Sequence, residues 1–189
     1  MASKIFILPW RRPLLLWLAG IFLGGCCSWN TNYVSPDSPA VQAEQNRIMI
    51  EDELPKLAAT LLKEKPDQAG MEKLFTAYLD QHPAVYGVAF APPRAPAGEP
   101  VRASPYVYRK NGVLSALNLA KPDYLYETME WYALPVKRRA AAWTSPYFDQ
   151  GGGDIWMVTY SLPLYLDEAK TQLYGVLTDD LPVPAPKGK

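Results

Sequence analysis

The chain has 189 residues, with 19 Lys and Arg balancing 19 Asp and Glu, and a single His. Zero net charge leaves no basic footprint for nucleic acid, and 49% hydrophobic against 20% charged residues is the composition of a folded domain. One His and two adjacent cysteines, Cys26 and Cys27, make neither a zinc ligand set, nor a disulfide framework, nor a spaced Cys–His pair. That argues against metal hydrolysis and thiol catalysis, and no cofactor is expected.

Residues 1–25 carry Lys4, Arg11 and Arg12 and no acid, and then the apolar run from Leu14 to Leu23. A run of about ten residues has the length of a secretory h-region, half of what a spanning helix needs. It ends in Leu23-Gly24-Gly25-Cys26, which resembles the bacterial lipobox, where a peptidase cuts before an acylated Cys. The resemblance implies a signal peptide over 1–25 and a lipid anchor on Cys26, holding the chain in the bacterial cell envelope and facing the periplasm. Inner-membrane retention is favoured by Asp after the lipidated Cys; Cys27 stands there, which points to the outer membrane. An acyl chain contributes about 0.8 kcal/mol per buried CH₂ toward membrane binding. An ordinary signal peptide with an incidental Cys, and a retained membrane anchor, are the other readings of this segment. Residues 26–37 are polar without hydrophobic period and read as a tether.

From Ser38 the pattern changes. Ile48, Ile50, Leu54, Leu57, Leu61 and Leu62 recur at three- and four-residue spacing, the stripe of an amphipathic helix that Pro55 is expected to kink or split. A second helix is expected over 68–79, with Met71, Leu74, Phe75 and Leu79 on one face. From Ala84 the period shortens to two. Strands are expected over 84–91 and 104–109, the latter turning at the hairpin signal Asn111-Gly112; a short helix follows over 124–134, then strands over 155–165 and 173–178. Helices first and strands in hairpin order predict an α+β fold, a long N-terminal helix packed on an antiparallel sheet of about five strands. The domain is expected to fill 38–181, with a disordered tail over 182–189. Gly151-Gly152-Gly153 lacks the context of a phosphate loop and reads as a flexible connection. His82 before Pro83 reads as a turn residue, and Ser145 has no nucleophile elbow around it, so no catalytic residue is nominated.

Taken together, Val85-Tyr86-Gly87-Val88-Ala89, Trp131-Tyr132, the stretch from Trp143 to Asp149, the stretch from Met157 to Pro163 and the stretch from Tyr174 to Asp180 resemble a Cache sensor domain. These are the extracytoplasmic, PAS-like ligand-binding modules of bacterial chemoreceptors, kinases and phosphatases, and the similarity is to the membrane-distal module of the double Cache type. The resemblance implies a pocket between the sheet and the loops before the last strands. Members that bind amino acids carry a Tyr, an Arg-x-Trp-Tyr, a Tyr-x-Asp and an Asp ending the final strand. By this resemblance Tyr124, Trp131, Tyr132, Tyr147, Asp149 and Asp180 take those positions, while Met129 stands where the Arg belongs.

An ammonium group in a partly dry pocket needs acceptors and counter-charge, which Asp149 and Asp180 supply; aromatic faces add cation–π attraction of about 0.5–2 kcal/mol. An α-carboxylate needs a planar two-pronged donor, which Arg provides and Met cannot. Left unpaired, it would cost several kcal/mol. The expected ligand is therefore a small amine or polyamine, with an amino-acid-like molecule requiring Arg109, Arg138 or Arg139 to replace the missing guanidinium. Plainer readings stand beside these. Trp131 and Tyr132 also suit a core, Asp149 also suits a cap on the glycine turn, and Asp179 leaves open which of the paired aspartates points inward. The expectation is a non-enzymatic envelope lipoprotein that binds a small cationic ligand and, lacking a second span or module in this sequence, signals through a partner protein in trans. The rival is a structural or interaction lipoprotein that keeps the fold and has no ligand.

Overall fold

The computed structural model describes residues 35–186, apart from 36, 97–98 and 100–101. The expected signal peptide, the lipidation site Cys26 and nearly all of the tether lie outside the described residues.

Ser38 opens the first helix, α1 (Pro39–Glu64): its hydroxyl accepts the Val41 N–H at 3.3 Å, with Pro39 at the first position. Lys65 closes it in the left-handed conformation (φ 45°), returning its N–H to the Leu61 carbonyl at 2.9 Å. Pro55 does not split this helix. Its ring withholds the N–H that Glu51 would otherwise receive, yet Ile50, Leu54, Leu57, Ala58 and Leu61 are all buried along one face around it, and that packing carries the helix through. The second helix, α2 (Gln68–Gln81), is capped by Asp67, which accepts the Gly70 N–H at 2.9 Å, and buries Met71, Phe75, Tyr78 and Leu79.

Among the described residues seven strands follow: β1 (Gly87–Ala91), β2 (Pro105–Lys110), β3 (Val113–Asn118), β4 (Ala142–Trp143), β5 (Tyr147–Phe148), β6 (Trp156–Tyr165) and β7 (Leu173–Pro182). They form one antiparallel sheet in the order β3-β2-β1-β7-β6-β4, with β5 also paired to β6. Four of them, β1, β2, β6 and β7, are the strands expected from the sequence; β3 is the partner that the Asn111-Gly112 turn signals, and β4 and β5 have only two residues each, too short to carry a period. The last strand ends at Pro182, and the Val183 N–H still donates to the Trp156 carbonyl at 3.0 Å.

Side chains alternate across the sheet, so each face has its own core. Val88, Phe90, Val107, Val158, Leu164, Leu177 and Leu181 meet the apolar stripes of α1 and α2. On the other face, Ala89, Tyr106, Tyr108 and Val176 pack against Leu119, Tyr124, Tyr126, Trp131 and Tyr132 from the segment between β3 and β4. That segment differs from the single helix expected over 124–134. A 3₁₀ turn (Tyr126–Thr128) comes first, Met129 breaks it with extended backbone (φ −76°, ψ 147°), and α3 (Glu130–Arg138) then runs through Pro135. An interior proline costs about 3 kcal/mol; burial of Trp131, Tyr132 and Pro135 itself against the sheet offsets it.

Candidate ligand-binding site

The paired aspartates of β7 are separated by the pleat. Asp180 lies opposite Gly87 of β1 and Thr159 of β6, on the face away from the two long helices; Asp179 lies opposite Val88 and Tyr160, on the helix face. β7 is an inner strand, so both carboxyls are buried, at 4% and 0% exposure.

Asp180 accepts the Tyr106 hydroxyl on Oδ2 at 2.8 Å and the Thr159 hydroxyl on Oδ1 at 2.7 Å. Thr159 has given its one hydrogen to Asp180, so the 2.8 Å contact between Tyr147 Oη and Thr159 Oγ1 has Tyr147 as donor. Tyr106 reaches Asp180 because its ring lies over Gly87, where a Cβ would stand 2.5 Å from the ring. Asp149, just past β5, accepts the Tyr124 hydroxyl on Oδ1 at 2.6 Å and the Gly153 N–H on Oδ2 at 2.8 Å.

The glycine run is not the flexible connection expected of it. The Asp154 N–H returns to the Asp149 carbonyl at 2.9 Å, the Gly151 N–H donates to Asp154 Oδ1 at 2.8 Å, and Gly151 sits at φ 83°. A Cβ on Gly152 would overlap the Asp149 carboxylate. The turn is wound around that side chain, and Gly152 and Gly153 are buried in it.

Between the two carboxylates is a cavity of about 10 Å³, lined by Ala89, Tyr106, Leu119, Tyr124, Trp131, Tyr147, Asp149, Thr178 and Asp180. Five of the residues nominated from sequence, Tyr124, Trp131, Tyr147, Asp149 and Asp180, meet here. Tyr132 and Met129 do not line it. The ring of Tyr132 packs on Tyr126 and Trp131 at 5.4 and 6.0 Å, and Met129 Sδ accepts the Trp131 indole N–H at 3.3 Å. Among the described residues, no basic side chain lines the cavity. Arg109 donates instead to the carbonyls of Val85 and Leu79, and Arg138 and Arg139 end α3 as exposed residues. Sequence reasoning missed Tyr106 and Thr159. Gly87 within an apolar strand was a signal for the first, since a strand glycine marks close approach by another group.

Burial raises the carboxyl of Asp149 above the ordinary range against the pull of its Tyr124 and Gly153 hydrogen bonds. Burial, and then the negative charge of Asp149, push Asp180 up to about 7 despite the hydrogen bonds from Thr159 and Tyr106. The hydroxyls of Tyr106, Tyr124 and Tyr147 are pushed up as well, first by burial and then by these carboxylates, so all three stay protonated donors. On the helix face Asp179 is raised by complete burial and by Asp180, while the Tyr78 hydroxyl donates to its Oδ2 at 2.6 Å and opposes the rise. Among the described residues, two buried carboxyls and no basic side chain line the cavity.

Residues 71–185 match the family described as methyl-accepting chemotaxis protein-like, first PDC sensor domain. The chain belongs to this family. As a PDC sensor domain it is a module of ligand binding and signal transduction, and the Cache-type sensor fold read from the sequence is borne out. Its architecture is similar to the extracellular domain of a histidine kinase, soHK1S-Z6, at a TM-score of 0.61 and 21% identity, covering 75% of this chain and 54% of that one. It is also similar to the ligand-binding domain of Mlp24 with asparagine (TM-score 0.54, 11% identity, 76% and 52%). A third is the periplasmic sensory domain of the Campylobacter jejuni chemoreceptor Tlp1 (TM-score 0.56, 14% identity, 76% and 56%). The PDC sensor domain thus spans little more than half of the solved sensor regions it matches. No protein of curated function matches the chain. Among the described residues, no helix is long and apolar enough to cross a membrane.

Proposed function

We propose that this PDC sensor domain binds a small cationic, amine-type ligand between Asp149 and Asp180, without chemistry, and reports its occupancy to a partner protein. The observation that carries the reading is the convergence of two buried carboxylates on one aromatic-walled cavity that, among the described residues, no Lys, Arg or His lines. Buried charge is costly unless it is paired, and a bound cation is the missing pair. Solved relatives of the same fold include one holding asparagine, but a free α-carboxylate has no guanidinium to meet here, which favours an amine over an amino acid. Trp131, Tyr106, Tyr124 and Tyr147 present ring faces or hydroxyl oxygens to the cation. In this proposal Cys26 carries the lipid that holds the domain on the periplasmic side of the outer membrane, and the signal leaves through a second protein.

The cavity's small volume is the observation that favours the other reading, a fold retained as an interaction module with no ligand. Thermal shift of the detergent-solubilised chain against panels of amines and amino acids separates them. Binding at a hundredfold excess over Kd adds about 2.7 kcal/mol of stability. Stabilisation by amines and not by amino acids is expected; a melting temperature indifferent to both panels favours the interaction module, and amino acids binding while amines are inert ends the amine reading.

A further inference from the structure

We infer that the occupant of this site is the ammonium ion itself, a cation of one heavy atom. The inference rests on the amine reading above and narrows it. The space between Asp149 and Asp180 is about 10 Å³, the room that a single water fills, and an ammonium ion is close to water in size. Four of its walls are held in place. Tyr124 and Tyr106 are tied to the two carboxylates at 2.6 and 2.8 Å, the Trp131 indole N–H is held by Met129 Sδ at 3.3 Å, and Leu119 is 2% exposed. An alkyl chain attached to the nitrogen would have to drive these groups out of a close-packed interior, where even one added methylene is resisted.

The chemistry of the lining separates ammonium from the two other occupants of that size. Each carboxylate oxygen accepts one hydrogen bond from the protein and has capacity for a second, so in their ionised forms, as at pH 8, Asp149 and Asp180 offer acceptors and no donor to what lies between them. A water brings two hydrogens and no charge. Ammonium brings four hydrogens and the positive charge that two buried carboxylates lack. Potassium has the charge but wants a shell of oxygens, and the side chains of Ala89, Leu119 and Trp131 leave part of this lining without any.

The test is isothermal titration and thermal shift on the full chain in mild detergent at pH 8 and constant ionic strength, with ammonium, methylammonium, putrescine, glycine and potassium chlorides. Ammonium is expected to give saturable binding, methylammonium at least about tenfold weaker binding, and the other three none. Asp180→Asn should lower ammonium affinity by about tenfold or more, and Leu119→Ala, with its fold checked by circular dichroism, should gain methylammonium binding by opening the wall. Putrescine or methylammonium binding while ammonium is inert overturns the size inference and leaves the amine reading standing. A potassium response equal to that of ammonium also overturns it. No response to any amine overturns both.

Discussion

Asp180 makes the pH dependence of folding run opposite to that of most aspartates. An aspartate held by a salt bridge keeps a low value in the native state and stabilises the fold as pH rises. Asp180 is pushed from 3.8 to about 7 by burial and by Asp149, so the native state keeps a proton that the unfolded chain has already released. Between about pH 4 and pH 7 the native state binds more protons than the unfolded one, and unfolding free energy falls as pH rises. At about 1.4 kcal/mol per pH unit the loss from this one group is roughly 4 kcal/mol over the whole window, and about 2–3 kcal/mol of it falls between pH 5 and 7. Asp149 and Asp179, raised mainly by burial, add slope of the same sign. Asp180→Asn keeps the shape and removes the proton, so urea unfolding at pH 5, 6, 7 and 8 should give a shallower slope for the variant, with the difference flattening above pH 7. A domain of this size moves about 2–4 °C in melting temperature per kcal/mol, so the two melting curves should approach one another at low pH and separate by several degrees at pH 8. Parallel stability profiles for the two proteins would refute the reasoning, because they would mean that Asp180 is ionised and solvated throughout.

Gly152→Ala places a methyl where the Asp149 carboxylate lies and should break the turn's grip on it. A loss of about 1–3 kcal/mol by urea titration is expected, together with loss of the amine-dependent thermal shift. Tyr78→Phe removes the hydrogen bond to Asp179, whose other oxygen already has no partner. It should cost about 1–3 kcal/mol by urea titration at pH 7.

The two long helices and β1, β2, β6 and β7 were legible because burial imposes a pattern on them: Ile50, Leu54, Leu57 and Leu61 repeat because one side of α1 meets the sheet; β3, with no buried residue, was marked only by the turn at Asn111-Gly112. Five of the seven positions nominated from the sequence line the cavity, and the motif carries them as a set. Met129 and Tyr132 belong to the same motif and lie outside the lining, since the chain breaks at Met129 and turns Tyr132 onto Tyr126. Thr159, and Tyr106 apart from the hint that Gly87 gives, were hidden for a different reason. Their roles depend on which residue stands opposite which across β1, β7 and β6, a matter of register between segments far apart in sequence. The glycine run misled because flexibility and close approach call for the same residue; here the approach is of Asp149 to the backbone of Gly152 and Gly153.

The same register explains how an event in the cavity can be felt on the other side of the sheet. Asp179 and Asp180 are neighbours on one inner strand with opposite outlooks, Asp180 on the cavity and Asp179 on Tyr78 of α2. Each raises the cost of ionising the other through the strand between them, as the upward pull of Asp180 on Asp179 reflects. A cation beside Asp180 favours its ionised form. That strengthens the field at Asp179 in favour of its protonated form, which changes the hydrogen-bonding partner that Tyr78 meets. Both carboxyls sit within 4% exposure, where interior screening is weak and a change of one charge is felt over a few ångströms. A ligand can shift an equilibrium only by its differential interaction with two states, and a strand that couples the charge of the cavity to an anchor of α2 provides such a difference without any large movement of the backbone.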